Sequence, residues 1–226
     1  MIELQSLLRG TLLTVSVPEA APPEFPRIIL SSEDTIVGLG FNRLEVTVRP
    51  PDHIKEDYAS SAEFAQRKTY PIVEAISKLV NYEWAGVISV GEYPLASGEV
   101  SGLKVVTPIF DRLVNIPRNG KDLASFQLQY GYKQQDLFKN FTIAGYENRN
   151  IDIKIDAQEG QEVVPITVDL SKYPVSGSGL QITADINNKE APKRSKVIKD
   201  ITQMFKEQIT THATLAKELN LEGLVS

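Results

Sequence analysis

The chain has 226 residues, of which 42% are hydrophobic and 23% charged, a composition typical of a globular protein with a sizeable core. It contains no cysteine, which excludes disulfides, thiol nucleophiles and thiolate metal sites. The net charge of -5 argues against sequence-independent binding to nucleic acid. The N-terminal residues show no basic leader, and no apolar run approaches the ~20 residues that span a bilayer, so we expect a cytoplasmic protein without membrane contact.

The first part of the chain predicts strands around a proline-rich segment. A short strand at Leu12–Val17 precedes residues 18–26, where four prolines in nine positions indicate an extended connector or arm. Strands are predicted at Arg27–Leu30 and Ile36–Val48, with a turn at Ser31–Asp34 between them. Apolar and polar residues alternate over the second run, as in a half-buried strand.

The spacing of apolar residues then changes and predicts an internal helix at Ser60–Val80. Ser60 or Ser61 is the expected N-cap. Pro71 lies inside this segment, which predicts either a kink or two helices with Pro71 in the first turn of the second.

Short strands separated by turn residues return between Trp84 and Ile186. The predicted strands are Ala85–Val90, Gly102–Pro108, Leu123–Tyr132, Phe141–Tyr146, Ile151–Ile155, Val163–Asp169 and Leu180–Ile186. The Ser-Gly-Ser-Gly sequence at residues 176–179 is interpreted as a hairpin turn, because a strand rather than a helix follows it. Short connections between neighbouring strands predict antiparallel pairing.

The end of the chain predicts one long amphipathic helix over residues 192–221. Its apolar stripe, spaced by three and four residues, consists of Ile198, Ile201, Phe205, Ile209, Ala213, Ala216 and Leu219. A helix of this kind buries its stripe on a sheet. We therefore predict a single α+β domain over residues 1–226, in which the internal and terminal helices pack on one strongly bent antiparallel sheet.

The residues that usually carry chemistry form no recognisable motif. His53 is predicted to be a solvated loop residue, and His212 a partly buried, hydrogen-bonded residue of the terminal helix. Asp152 and Asp156 share a strand face with Lys154 but stand ~13 Å apart, which is too far to hold one ion. We predict no catalytic residues, no metal site and no cofactor. The sequence favours a protein without enzymatic activity.

The strongest candidate for binding is a basic segment at residues 189–206. It carries six basic and two acidic residues, a net charge of +4, whereas the remaining 18 basic and 27 acidic residues give -9. Lys193, Arg194, Lys196 and Lys199 cluster where the terminal helix begins, although the positive end of the helix dipole disfavours cations there. This conflict predicts an anion-facing contact, with a solvated charged face as the alternative.

Several short sequences resemble a sporadically distributed family of uncharacterised prokaryotic cytoplasmic proteins. They are Leu-Ser-Ser-Glu-Asp at residues 30–34, Tyr58 and Phe64 opening a helix, Ala-Asp-Ile-Asn at 184–187, and Phe-Lys-Glu-Gln-Ile-Thr at 205–210. The family's Arg-Ile-Gly-Leu-Arg-Tyr strand is replaced here by residues 105–112. The resemblance implies a strand-rich core with a terminal helix and a place in a mobile-element, defence or toxin–antitoxin locus, and it offers no catalytic residues.

Together these patterns favour a non-catalytic binding protein whose partner is another protein or a second copy of the chain, with nucleic acid disfavoured. The alternative is a protein that binds a small apolar ligand, or an enzyme, using a cavity between sheet and helix.

Overall fold

A computed structural model describes residues 21–94, 125–151, 172–189 and 197–218, the backbone of residues 11–14, and isolated positions. The described isolated positions are Thr107, Phe110, Asp111, Val114, Asn119, Leu123 and Asp169. Eight strands, one 3-10 helix at Asp52–Ile54 and two α-helices lie in this part of the chain. Neither of its α-helices is long and apolar enough to cross a membrane.

The strands form two four-stranded sheets, where the sequence predicted one bent sheet. The first sheet has the order β1-β2-β3-β4 with antiparallel pairs throughout, and its strands are Thr11–Thr14, Ile28–Ser31, Thr35–Leu39 and Leu44–Val48. The second sheet has the order β5-β8-β7-β6, and its strands are Gly86–Pro94, Val175–Asn187, Leu137–Arg149 and Gln127–Gln134. Pro50 and Pro51 separate the two sets in sequence, since proline cannot continue a ladder. The prediction of an α+β fold with antiparallel sheets, one internal helix and one terminal helix is confirmed.

The predicted strand at Ile36–Val48 is two strands, β3 and β4, joined by a turn at residues 40–43. The amide of Gly40 donates to the carbonyl of Arg43 at 2.8 Å, which closes the turn. A Cβ at position 40 would lie 2.8 Å from the Glu24 carbonyl oxygen, so only glycine fits this approach.

The internal helix, α1, spans Tyr58–Ser77 and runs continuously through Pro71. Its N-cap is Asp57, and the predicted caps Ser60 and Ser61 are wrong. The Asp57 carboxylate accepts hydrogen bonds from the amides of Ala59 and Ser60 at 3.1 and 3.3 Å. These bonds, with the Ser60 hydroxyl, lower the Asp57 pKa.

The terminal helix, α2, spans Val197–Glu218. Residues 192–196 and 219–221 of the predicted helix lie outside the described part of the chain. The predicted strands over residues 102–108, 151–155 and 163–169 also lie almost wholly outside the described part of the chain, and Thr107 is helical. The predicted hairpin at residues 176–179 is wrong, because these residues lie within β8. A Cβ on Gly179 would collide with the Tyr93 carbonyl oxygen, so a glycine here permits close approach of the neighbouring backbone.

The chain divides into two compact units. The first comprises Met1–Val87, Lys133–Phe138 and Ile186–His212, and the second comprises Ile88–Tyr132, Lys139–Asp185 and Ala213–Ser226. The single domain over residues 1–226 remains a prediction, since compact units can share one cooperative folding transition.

The first unit buries apolar residues in three neighbouring clusters. Leu30 and Val37 of the first sheet pack on Ile72 of α1. Val73 of α1 meets one side of α2, which contributes Val197, Ile201 and Phe205. Met204 of α2 packs on Ile186 and Leu137. The predicted packing of the terminal helix on a sheet is therefore observed, and it follows from the three- and four-residue spacing of these side chains.

The described part of the second unit has one apolar cluster, built from alternate residues of β7 and β8 together with Phe126 and with Leu215 of α2. Its buried members are Phe126, Phe141, Ile143, Leu180, Ile182, Ala184 and Leu215. β6 and β7 are joined by a two-residue turn, in which Gln135 adopts a φ of 54°. A left-handed residue in such a short loop is typical of a tight antiparallel hairpin.

Candidate interaction surface

The structure describes one of the four predicted binding residues. Lys199 lies in the first turn of α2 and its side chain is exposed. Lys193, Arg194 and Lys196 lie outside the described part of the chain. The predicted conflict between a cation and the helix dipole therefore applies to Lys199.

Two further exposed lysines lie near Lys199: Lys206 stands further along α2, and Lys189 follows Asn188, which bonds to the first turn of α2. Lys206 is exposed and lies seven residues after Lys199, so both side chains leave the same side of the helix, ~10 Å apart along its axis. Lys189 is exposed directly after β8. Its neighbour Asn188 donates a hydrogen bond to Asp200 at 3.0 Å, and Asp200 follows Lys199, so this bond places Lys189 close to the start of α2. Lys189, Lys199 and Lys206 are called the basic face below.

The lysines of the basic face take part in no ion pair within the described chain. Four other lysines do have acidic partners: Lys55 with Asp52, Lys68 with Asp34, Lys78 with Glu74 and Lys172 with Asp169. This contrast is important because the charge of a lysine in an ion pair is partly neutralised by its acidic partner. The basic face keeps its positive charge available to a partner.

Asp200, the acid that follows Lys199 in sequence, turns away from this surface. Asp200 is 5% exposed, and its Oδ2 accepts hydrogen bonds from Asn188 Nδ2 at 3.0 Å and from the Tyr82 hydroxyl at 3.4 Å. Asn188 Oδ1 in turn accepts from the amide of Ala85 at 2.7 Å. A carboxylate in the first turn is also favoured by the helix dipole. The start of α2 is thus fixed to the end of β8, with Asp200 inward and Lys199 outward.

A second set of hydrogen bonds holds the middle of the helix. The Tyr70 hydroxyl of α1 donates to Thr202 Oγ1 at 2.5 Å. Gln208 is buried, and its Nε2 donates to the Val87 carbonyl at 2.5 Å while its Oε1 accepts from the Tyr58 hydroxyl at 3.1 Å. These contacts fix the rotation of α2 and therefore the direction of the basic face.

The two histidines behave differently. His53 is exposed in the 3-10 helix, as predicted. His212 is 1% exposed, deeper than predicted, and stacks on the Tyr58 ring with the two ring centroids 3.9 Å apart. Burial lowers its pKa to about 4, so His212 is neutral at physiological pH and adds no charge to the helix.

The other residues that could carry chemistry form no recognisable site within the described residues. Asp152 and Asp156 fall outside them, and no group of three histidine or acidic residues within them is placed to hold a metal ion. A pocket of about 90 Å³ lies beside Pro71 in the first unit. Its lining residues are Ser32, Asp34, Thr35, Arg67, Lys68, Pro71 and Ile72. This pocket is polar and well below the ~300 Å³ that ligand sites usually offer, so it does not support binding of an apolar ligand.

Sequence reasoning missed the anchoring residues beneath the basic face. Asp200 was counted only as an acid within the basic segment, and Asn188 and Tyr82 were not considered. A usable signal existed, since Asp200 stands between Ile198 and Ile201 of the apolar stripe. An acid at such a position is expected to need buried hydrogen-bond partners.

Comparison with known proteins gives no relative. No protein-family model, no curated protein and no solved structure matches the chain. The resemblance described from the sequence therefore gains no support from these comparisons, and function is argued from the surface itself.

Proposed function

We propose that this protein is a non-catalytic binding protein that uses the basic face to contact an acidic surface of a protein partner. The observation that carries the proposal is the exposure of Lys189, Lys199 and Lys206 without ion pairs in the described chain. Lys193, Arg194 and Lys196 belong to the same segment in sequence and would add to its charge.

Charge distribution supports an acidic protein over nucleic acid. The segment at residues 189–206 carries +4, whereas the rest of the chain carries -9. A nucleic acid that extends beyond the basic face would be repelled, because its phosphates would lie near the acidic remainder of the chain. A folded protein with a local acidic patch avoids most of this repulsion, because its charge ends where the patch ends.

Rigid anchoring supports binding in a fixed orientation. A surface held by buried hydrogen bonds loses little conformational freedom when a partner docks on it, and this favours affinity. The buried polar groups Asp200, Gln208 and Asn188 all have protein hydrogen-bond partners. Their use in anchoring supports a structural role for these groups over a catalytic one.

A cytoplasmic location and an association with a prokaryotic defence or toxin–antitoxin locus remain predictions from the sequence and from the resemblance. The alternative of an apolar-ligand binder or a cavity enzyme also remains open to test, and the polar pocket near Pro71 does not favour it.

The test uses a defined acidic probe. Binding of a fluorescent poly-glutamate peptide is measured at low salt for the parent protein and for the variant Lys189→Gln/Lys199→Gln/Lys206→Gln. We expect the variant to bind at least about tenfold more weakly, because an attraction between exposed charges is lost.

The matched control removes the same charge elsewhere. The variant Lys55→Gln/Lys78→Gln/Lys172→Gln replaces three exposed lysines that have acidic partners, and it should bind like the parent. Equal weakening in both variants would show that only net charge matters. A basic-face variant that binds like the parent would overturn the proposal. Preference for a DNA duplex over poly-glutamate would identify nucleic acid as the ligand.

A further inference from the structure

Strand β5 lies at the edge of its sheet and exposes apolar side chains. β5 is the first strand in the order β5-β8-β7-β6, and no described strand pairs with its other side. Ile88 is 63% exposed and Val90 56% exposed. Both are β-branched residues, which favour strands and normally pack against neighbours.

The hydrogen-bonding groups of the same residues point away from the sheet. The Ala85 carbonyl accepts from the Asn188 amide at 3.1 Å, so the backbone groups of Ala85 face β8. Along an antiparallel strand, successive residues direct their backbone groups to opposite sides. The amides and carbonyls of Ile88 and Val90 therefore lie on the outer edge, beside their exposed side chains.

β5 has few of the features that usually prevent pairing at an edge, and its one charged side chain is Glu92. It contains no lysine or arginine, and its proline, Pro94, is the last residue of the strand. The opposite edge strand, β6, differs: its sequence Gln-Leu-Gln-Tyr-Gly-Tyr-Lys-Gln contains three glutamines, a lysine and a glycine. β6 also exposes Tyr130 and Tyr132, so the two edges differ in the lysine and glutamines of β6 and the aliphatic Ile88 and Val90 of β5.

We propose that β5 pairs antiparallel with β5 of a second copy of this chain, with the two-fold axis at Ser89. In this register Ile88 lies opposite Val90 of the partner copy, and Val90 opposite Ile88 of the partner copy. Four β-branched side chains then form one cross-strand cluster, with about eight backbone hydrogen bonds between the strands.

Charge also favours a second copy in this register. The acid of the strand, Glu92, falls opposite Gly86 of the partner copy, so no like charges are brought together. The same surface patch serves both copies, as a two-fold symmetric interface requires. Because the contact is small, we expect a reversible dimer with a dissociation constant of about 1–100 μM. The dimer does not depend on the basic face.

The first experiment measures the oligomeric state by sedimentation equilibrium over a range of concentrations. The parent should dimerise, and dimerisation should be unchanged in high salt because the contact contains no ion pair. The variant Ile88→Lys/Val90→Lys places lysines opposite each other and should weaken the dimer at least about tenfold. A parent that stays monomeric at about 1 mM, or a double-lysine variant that dimerises like the parent, would overturn the proposal.

A charge swap separates a lost interface from a damaged fold. The variant Ile88→Lys/Val90→Glu carries the same number of substitutions but places each lysine opposite a glutamate of the second copy. It should recover dimerisation at low salt and lose it at high salt. If it stays monomeric at low salt while circular dichroism shows the parent's fold, the proposed register is wrong.

Cross-linking tests the register directly, because the chain has no cysteine of its own. A mixture of Ile88→Cys and Val90→Cys proteins should form a mixed disulfide, since directly opposed residues lie ~5.5 Å apart. Either protein alone should cross-link at least about fivefold less, because like positions are offset along the strands. A Gln129→Cys variant on β6 is the matched edge control and should not cross-link. Equal cross-linking in all samples would contradict the proposed pairing.

Discussion

The two compact units hold their interiors by different means. In the first unit, α2 is fixed by directional hydrogen bonds from buried polar groups such as Asp200 and Gln208, which supplement the apolar contacts. In the second, the described core is an apolar cluster with members such as Phe141 and Ile182, and the buried polar side chains are fewer, namely Lys139 and Ser178. Apolar packing tolerates small rotations, whereas hydrogen bonds specify orientation. The polar anchoring of the first unit lies beneath the basic face and fixes the direction of its lysines.

The largest loss of stability is expected from a cavity in the apolar cluster of the second unit. Phe141 is 1% exposed and lies between the rings of Tyr130 and Tyr132, at centroid distances of 5.3 and 5.9 Å. Phe141→Ala should lower the free energy of unfolding by about 4 kcal/mol, because it removes buried apolar area and leaves a cavity. Phe41→Ala is the control, since Phe41 is 80% exposed and should cost about 1 kcal/mol or less. Urea unfolding measures both, and equal losses would show that position 141 is not part of a tight core.

The next largest loss of stability is expected when the hydrogen bonds of Asp200, which anchor α2, are removed. Asp200→Ala leaves Asn188 Nδ2 and the Tyr82 hydroxyl without their acceptor, and should lower the free energy of unfolding by about 3 kcal/mol. Asp200→Asn keeps an acceptor oxygen and should recover about half of this loss. Chemical denaturation compares the two. If alanine and asparagine are equally destabilising, the hydrogen bonds do not hold the helix.

Acid should weaken the first unit through His212. Burial lowers the pKa of His212 to about 4, while the unfolded chain binds the proton near the ordinary histidine pKa of 6.5. As pH falls through this interval, the unfolded state gains a proton that the folded state refuses. The resulting loss of stability should reach about 2 kcal/mol between roughly pH 7 and pH 5.

The control for this effect is His212→Phe, which keeps an aromatic ring against Tyr58 but cannot titrate. Denaturation midpoints across the pH range should fall less steeply for the variant than for the parent. An identical pH dependence would assign the acid sensitivity to other groups.

The smallest expected effect on stability concerns the basic face. Lys189, Lys199 and Lys206 are exposed and unpaired in the described chain, so the triple glutamine variant should change the free energy of unfolding by about 0.5 kcal/mol or less. Thermal unfolding at low and high salt checks this expectation. A loss above about 2 kcal/mol would mean that these lysines stabilise the fold and are not kept for a partner.

Periodicity predicted the elements whose stability comes from one buried face. The alternation of the strand pattern and the three- and four-residue spacing of α1 and α2 follow directly from burial on a sheet, so both helices and the α+β class could be read from the sequence. The alternating pattern predicted one strand at Ile36–Val48 and missed the turn within it, because Gly40 serves a close approach to Glu24 that only the fold creates.

Features that depend on distant residues could not be predicted in the same way. Ser176–Gly179 resembles a turn in composition, yet it lies in a strand because the neighbouring Tyr93 backbone approaches Gly179. The hydrogen bond from Tyr58 to Gln208 joins residues 150 positions apart. The local sequence pattern does not predict such distant hydrogen-bonded pairs. These pairs determine the direction of the basic face.

The most direct test of the central claim is the salt dependence of binding to the poly-glutamate probe. Affinity is measured over a series of sodium chloride concentrations for the parent, the basic-face variant and the matched lysine control. We expect the affinities of the parent and the control to fall steeply with salt along similar slopes. The variant should bind more weakly at low salt and show a flatter slope, because three charge contacts are missing. If the slopes and affinities of all three proteins coincide, the basic face is not the binding surface.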